Sequence, residues 1–425
     1  MKMKLQLRFA ALILALLSLA APLAAQEPAR ASRDWGKEFQ EVLQENILKF
    51  WVDHAVDRQY GGMIGWLDRK GNPIKPGTKS LVQQSRIVWS FSAAYRMFPD
   101  PAYKEVATHT LKFMREKMWD SQQGGFYWLV DRQGNVRDGK KHLYGQSFAL
   151  YGLAEYARAF DDSKTCEEAL ELFRLIDRKA HDNENGGYRE GFSEEWQFLS
   201  ADDTLGARGR KSMNTHIHLL ESFTTLYKAT GDAKVRARVE ELLKIFAEKI
   251  VDSDQGFARP YFTDDWKPSG PDTSSYGHDI ELSWLMAESA EALGEAIPEN
   301  VLRASRALVE HTLRAGFDHE RGGIYDEGPA AGLPESKRMI WWVQAEGLVG
   351  LLNAYQLFQN PEYWKAFNSQ AQYTLEHFVD REYGEWYNTI ETDGRITGEK
   401  ASEWKAPYHA ARACMEVVRQ LKEAH

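Results

Sequence analysis

One unit recurs six times along the chain. A helical stretch ends in Asp, a Gly-centred loop follows, and a second helical stretch begins. The loops read Asp57-Arg-Gln-Tyr-Gly-Gly62, Asp120-Ser-Gln-Gln-Gly-Gly125, Asp182-Asn-Glu-Asn-Gly-Gly187, Asp252-Ser-Asp-Gln-Gly256, Asp318-His-Glu-Arg-Gly-Gly323 and Asp380-Arg-Glu-Tyr-Gly384. Successive Asp residues are 63, 62, 70, 66 and 62 residues apart. A fixed period of this size marks stacked supersecondary units, each unable to bury its apolar face alone. Polar and aromatic residues recur about 17 to 31 residues after each loop. In a closed ring, six such positions at one end would face a single pocket.

Each repeat holds two amphipathic helical patterns, with apolar residues at i, i+3, i+4 and i+7, as in Leu219, Phe223 and Leu226. They fall at 37–53, 79–98, 102–117, 143–160, 164–178, 213–230, 234–250, 278–293, 300–315, 340–358, 361–378 and 407–422. Helix stops such as Pro99-Asp-Pro101 and Gly231-Asp232 leave only short turns, which makes neighbours antiparallel. Aromatic strand-like pieces such as Gly125-Phe-Tyr-Trp128 before Asp131-Arg-Gln-Gly134 read as short hairpins. The expectation is an all-α (α/α)6 barrel with short β-hairpin loops at one end, the post-loop helix of each repeat being the inner one. An open solenoid is the alternative.

Residues 1–25 have a basic start (Lys2, Lys4, Arg8), an apolar run over 9–25 and the small-residue stretch Leu23-Ala24-Ala25. This is the pattern of a cleaved secretory signal, with an uncleaved anchor as alternative. It predicts an exported, periplasmic or secreted protein with one domain over 26–425 and no membrane association after cleavage. The net charge is −9, and −12 without the leader's three basic residues. No basic patch suited to nucleic acid is visible, so a neutral small molecule is the expected partner. Cys166 and Cys414 lie inside helical patterns and read as free, buried thiols.

The post-loop helices open with polar residues in register. These are Arg86; His142, Tyr144 and Gln146; Asn214, His216, His218 and Glu221; His278, Asp279 and Glu281; Trp341, Trp342, Gln344 and Glu346; and Trp404, Tyr408 and His409. A single buried His is more often a satisfied core residue than a catalyst. Six polar places in register are harder to account for that way, because burying a polar group costs stability unless it is bonded. His216, His218, His278 and His409 suit proton abstraction and redelivery beside a carbonyl. Arg86 suits a developing oxyanion, and the Trp residues offer flat faces to a sugar ring. His216 and His218 point about 200° apart on one helix, which argues against a shared metal. Two acids, Glu281 and Glu346, would suit a glycoside hydrolase, but the histidines would then have no role.

At these residues the chain resembles the cellobiose 2-epimerases, within the N-acylglucosamine 2-epimerase superfamily. The similarity lies in Arg86 with Ile87-Val-Trp-Ser-Phe-Ser-Ala-Ala-Tyr-Arg96, Lys141-His-Leu-Tyr-Gly-Gln-Ser-Phe148, Ser212-Met-Asn-Thr-His-Ile-His218, Gly277-His-Asp-Ile-Glu281, Trp341-Trp-Val-Gln-Ala-Glu-Gly347 and Trp404-Lys-Ala-Pro-Tyr-His409. The resemblance implies an (α/α)6 epimerase without cofactor or metal. Such an enzyme inverts C2 of the reducing-end glucose or mannose of β-1,4-linked disaccharides such as cellobiose, mannobiose or lactose. It implies His278 and His409 as acid and base, and His218 and Asn214 as aids to ring opening or holders of hydroxyls. Glu281 and Glu346 would orient the histidines, Arg86 would steady an enediolate, and Tyr144, Trp342 and Trp404 would hold the sugar. An N-acylglucosamine 2-epimerase or an aldose–ketose isomerase of the same superfamily is the alternative. The family pattern Gly-Pro-Tyr-His-Asn-Gly-Arg is here Ala406-Pro-Tyr-His-Ala410-Ala411-Arg412, a departure expected to bear on substrate preference.

Overall fold

Among the described residues, twelve helices alternate between an inner and an outer ring. The computed structural model describes residues 33–200, 202, 204–205, 211–294 and 296–423. The leader expected at 1–25 lies outside the described residues. The outer helices are α1 (35–54), α3 (101–118), α5 (Ser163–Ala180), α7 (233–250), α9 (299–316) and α11 (Pro361–His377). The inner helices are α2 (Leu81–Met97), α4 (Leu143–Phe160), α6 (Met213–Thr230), α8 (Tyr276–Ala292), α10 (Trp341–Phe358) and α12 (Tyr408–Glu423). Each inner helix packs on the next, and α12 packs back on α2, so the ring is closed rather than an open solenoid. The inner helices are buried nearly all round, as a helix enclosed by neighbours must be: Leu143 through Ala157 of α4 has no exposed residue. From Gly36 onward the chain is one compact unit. Cys414 is buried, but Cys166 is only half-buried because its helix is an outer one; both are free.

The strands expected as local hairpins mostly pair across repeats. Leu129–Val130 sits between Val136–Asp138 of its own hairpin and Lys79–Ser80, which leads into α2 of the preceding repeat. The same joint recurs between Lys211–Ser212 and Tyr261–Phe262, between Thr273–Ser275 and Glu327–Pro329, and between Met339–Ile340 and Thr389–Ile390. Between the second and third repeats, the Lys141 and Leu143 amides donate to the Phe192 and Glu190 carbonyls. Leu67 pairs with Ala401 and so joins the first repeat to the last. Each loop strand thus finds partners in its neighbour for backbone groups that would otherwise go unpaired.

Each Gly loop is fastened from both sides. Its Asp carboxylate accepts backbone amides two and three residues on, as Asp120 does from Gln122 and Gln123. In four repeats a fully buried lysine then binds that carboxylate: Lys79–Asp57 at 3.0 Å, Lys141–Asp120 at 2.9 Å, Lys211–Asp182 at 2.9 Å and Lys400–Asp380 at 3.1 Å. In the other two, Arg259 and Arg321 bind Asp252 and Asp318. From the inner helix, Gln84, Gln146 and Gln344 each take the amide and return an N–H to the carbonyl of Met63, Phe126 and Ile324. His216 and Asp279 accept the amides of Tyr188 and Ala258 at the same place. The second glycine of the loop makes room for this. A Cβ on Gly62, Gly125 or Gly187 would meet the Gln84, Gln146 or His216 polar atom at 2.8, 3.0 or 2.9 Å, and each backbone has positive φ.

Arg69 closes the circle, with its Nε 3.1 Å from Asp380 Oδ2 of the last loop. Removing one partner of a buried, bonded ion pair leaves the other charge without compensation. Lys141→Met is therefore expected to destabilise the protein by about 3 kcal/mol, seen as a lowered midpoint in urea unfolding followed by far-UV circular dichroism. A midpoint equal to wild type would remove the stabilising role given to these pairs.

Candidate active site

The N-terminal turns of all six inner helices meet at one pocket of about 320 Å³, at the lower end of ordinary ligand cavities (~300–1,000 Å³). Arg86, Tyr144, Asn214, His218, His278, Glu281, Trp341, Trp342, Trp404 and His409 line it, together with Thr204 and Leu205. Nine of the ten candidate residues are therefore brought together at its wall. The tenth, Glu346, lies just behind, where its Oε1 accepts His409 Nδ1–H at 2.7 Å. Four polar residues in the same register face away from the pocket. Gln146, His216, Asp279 and Gln344 fasten the Gly loops, because a polar side chain on the loop side of an inner helix is consumed by unpaired backbone there. His142 is a helix cap: its Nδ1 accepts the Tyr144 amide of α4. Burial pushes both His142 and His216 down to about 4, in keeping with acceptor roles for neutral rings. The opposed directions expected for His216 and His218 are what α6 displays.

Three imidazoles have one nitrogen tied down. His218 Nδ1 lies 3.2 Å from Glu221 Oε2, His278 Nδ1 lies 2.8 Å from Ser275 Oγ, and His409 Nδ1 is held by Glu346. A carboxylate partner requires Nδ1–H, which leaves Nε2 of His218 and His409 as the basic nitrogen. His278 and His409 both pack against Trp342, with ring centroids 4.7 and 5.6 Å from it. Burial, then His218 and Arg86, push His278 down to about 3 despite Glu346. Burial, then the Arg86 and Arg412 cations, push His409 well below its ordinary value. Its contact with Glu346 is thus a neutral N–H donating to a carboxylate. Burial also lowers His218, against the pull of Glu221. The three rings rest as neutral bases rather than as groups poised near neutrality.

Arg86 is 3 % exposed, with its guanidinium over the Phe148 ring at 4.2 Å. It donates to Tyr144 Oη at 2.9 Å and to the Trp404 carbonyl at 2.6 Å. Trp404 is 38 % exposed and Trp342 half-buried, so both offer ring surface to an occupant, whereas Trp341 is largely packed away. The Asn214 amide oxygen is buried without a protein partner at the pocket wall, a place for a ligand hydroxyl. Ala406, Ala410 and Ala411 are buried and do not line the pocket.

The sequence reading did not single out Arg412, which underlies the site. Its Nη2 donates to Glu281 Oε1 at 2.5 Å and to Glu346 Oε1 at 2.8 Å, and its Nη1 donates to Glu221 and Tyr408. A charge amid Ala410–Cys414, one turn after His409, was the available signal. The clusters His218–Glu221–Glu281 and Glu281–Glu346–His409 are of metal-ligand type. Arg412 already bonds every carboxylate in them and supplies the cation they need. Glu281 and Glu346 also meet on this one guanidinium nitrogen. That holds the two carboxyl groups against each other, Glu281 in the pocket wall and Glu346 just behind it, not on two sides of a scissile bond as a hydrolase requires.

The fold and site define a carbohydrate epimerase of the isomerase class. Residues 62–413 match the model of the N-acylglucosamine 2-epimerase (GlcNAc 2-epimerase) family, and the chain belongs to that family. It is 34 % identical to the cellobiose 2-epimerase of Bacteroides fragilis over 90 % of this chain and 98 % of that protein. It is 35 % identical to that of Dictyoglomus turgidum over 90 % and 98 %. The solved cellobiose 2-epimerase of Bacillus thermoamylovorans superposes with a TM-score of 0.86 at 33 % identity, covering 91 % of this chain and 99 % of that one.

The resting state of His278 sets a pH dependence of stability. An unfolded histidine binds a proton below about 6.5, whereas His278 stays neutral in the native state down to about 3. Between these values the unfolded state holds the extra proton, so its contribution destabilises the fold progressively as pH falls from 6.5 towards 3. His278→Gln is expected to reduce the slope of unfolding free energy against pH in that window, measured by urea titration. An unchanged slope would mean that His278 is protonated in the native protein.

Proposed function

We propose that the protein inverts C2 of the reducing-end glucose or mannose of β-1,4-linked disaccharides such as cellobiose, mannobiose and lactose. The carrying observation is that two imidazoles, His278 and His409, line one pocket together, both packed against Trp342, with the buried Arg86 cation in the same wall. Trp342 and Trp404 offer stacking faces, and Tyr144 and Asn214 offer hydroxyl contacts. His218 assists opening of the ring by moving a proton between the C1 hydroxyl and the ring oxygen. In the open chain the C1 aldehyde acidifies the C2 hydrogen. One of His278 and His409 takes that proton, and the electron pair moves to O1, giving a cis-enediolate whose charge Arg86 stabilises. After rotation about C2–C3, the other imidazole, which has taken up a proton from solvent, delivers it to the opposite face of C2, and the first imidazole returns its proton to solvent. Glu346 orients His409, and Glu281 lies among these groups at the pocket wall. Proton transfer needs no metal or redox cofactor in this scheme. The leader over 1–25 extends the proposal to an exported enzyme.

Four measurements test this. The purified protein, incubated with cellobiose, mannobiose and N-acetylglucosamine, is expected to yield the C2 epimer of the disaccharides on chromatography; released monosaccharide would instead mark a hydrolase. Because the two histidines are distinct and exchange with water, epimerisation in D2O is expected to place deuterium at C2 of the product. Product without it would rule out the enediolate. His278→Ala and His409→Ala are each expected to lower kcat by at least ~10²-fold in both directions, the scale of a placed proton transfer. EDTA treatment is expected to leave activity unchanged.

A further inference from the structure

Beneath the pocket, one guanidinium touches carboxylates from three other inner helices. Glu221 comes from α6, Glu281 from α8 and Glu346 from α10, and Arg412 reaches all three from α12. Arg412 is 2 % exposed and lies over the rings of Tyr408 and Trp284 at 4.4 and 4.8 Å. Two of its carboxylates are bridges. Glu221 takes Arg412 on one oxygen and His218 on the other, while Glu346 Oε1 takes both Arg412 and His409. The far oxygen of Glu346 accepts Trp284 Nε1–H at 3.2 Å, so that carboxylate has little freedom left.

We propose that Arg412 is a positioning residue for the acid–base chemistry of the site. Through Glu221 and Glu346 it fixes the imidazoles of His218 and His409 and keeps their Nε2 atoms unprotonated. This rests on the two-histidine reading above. Arg412 does not itself line the pocket and reaches it only through the carboxyl groups of Glu221, Glu281 and Glu346. A fork of N–H donors suits three acceptors at once, which a lysine ammonium on a flexible stem does not.

The charges around His409 give the sign of the effect. From α2 it faces Arg86, from α6 His218 and Glu221, from α8 His278 and Glu281, and from α10 Glu346; Tyr408 and Arg412 share its helix. Burial raises Glu281 well above the ordinary carboxyl range, with Glu346 adding to the effect and Arg412 opposing it. Burial also pushes Glu221 up, but Arg412 and His218 outweigh it and hold it ionised. Removing Arg412 deletes a cation near His409 and leaves Glu221 and Glu346 without a counter-charge. Both changes favour the imidazolium.

The test pairs histidine titration by NMR on the folded enzyme with pH profiles of cellobiose and mannobiose turnover, for wild type, Arg412→Gln and Arg412→Lys. Arg412→Gln is expected to lower kcat at least ~10-fold and leave KM within about threefold. The acidic limb of kcat and the His409 titration should both move up by about one pH unit. Arg412→Lys should keep the limb near its wild-type position while losing part of kcat. Loss of kcat with limb and titration unmoved would reduce Arg412 to a structural residue and overturn the proposal, as would wild-type kinetics in Arg412→Gln. Should Arg412→Gln fail to fold, Tyr408→Phe removes the hydroxyl that donates to Glu221 and accepts from Arg412, alongside their direct ion pair. A raised His218 titration then supports the clamp, and an unmoved one overturns it. If wild type turns over neither sugar, the functional reading fails, while the histidine titrations still decide the clamp.

Discussion

The structure depends on satisfying the backbone of six irregular loops inside a ring of apolar helices. A loop that enters such a ring carries amides and carbonyls that water cannot reach, and each unmet group costs on the order of 1–3 kcal/mol. In five loops the chain meets them with side chains sent from the inner helices, Gln84, Gln146, His216, Asp279 and Gln344, and in the sixth the Trp386 amide is taken by Glu385 of the loop itself. The bonds are made at close quarters, so the second glycine of the loop becomes a steric requirement as well as a conformational one. The Asp carboxylate and its basic partner then hold the turn from the other side. Because each loop strand also pairs with the neighbouring repeat, and Leu67 with Ala401, the same device that fills the loops also sets the spacing of the six helix starts. The pocket inherits its geometry from that spacing.

The floor of the pocket departs from the logic of a stable core. Glu221, Glu281, Glu346 and Arg412 are all 3 % exposed or less, where an apolar cluster of the same volume would cost far less to desolvate. Polar burial on this scale is characteristic of functional sites, where local rules are broken and the rest of the fold compensates. Here the compensation is geometric. Four helices deliver one charge each, and the aromatic rings of Tyr408 and Trp284 enclose the guanidinium on its remaining sides.

Much of this was legible in the sequence because period and spacing are properties of the chain itself. The intervals between Asp57, Asp120, Asp182, Asp252, Asp318 and Asp380 carried the six-fold ring, and the opposed faces of His216 and His218 followed from helical geometry. What the sequence could not decide was which of two polar residues on opposed faces of one helix turns to the pocket and which to a loop. Gln146 and Tyr144 look alike as candidates, yet one bonds a loop and the other lines the pocket. The difference lies in a rotation of under one turn relative to neighbours distant along the chain. Arg412 was hidden for a related reason. Its partners lie 66, 131 and 191 residues away, on helices that only ring closure brings together. Pairing of the hairpins across repeats was missed because a hairpin satisfies its own pattern and gives no sign of the third strand.

The direction of the inner helices has a further consequence. All six present their N-termini to the pocket, with residues such as Tyr144, Asn214, His278, Trp342 and His409 in their first turns. A helix N-terminus carries roughly half a positive elementary charge, felt within about one turn. Six of them arranged in a circle make the cavity electropositive through backbone alone, before any side chain is counted. Such a field opposes protonation of imidazoles held within it and favours any anion that forms there. It is fixed by topology, so it persists through every change of side chain that leaves the ring intact. A barrel whose inner helices all start at the same mouth thus comes with a built-in preference for chemistry that passes through negative charge there.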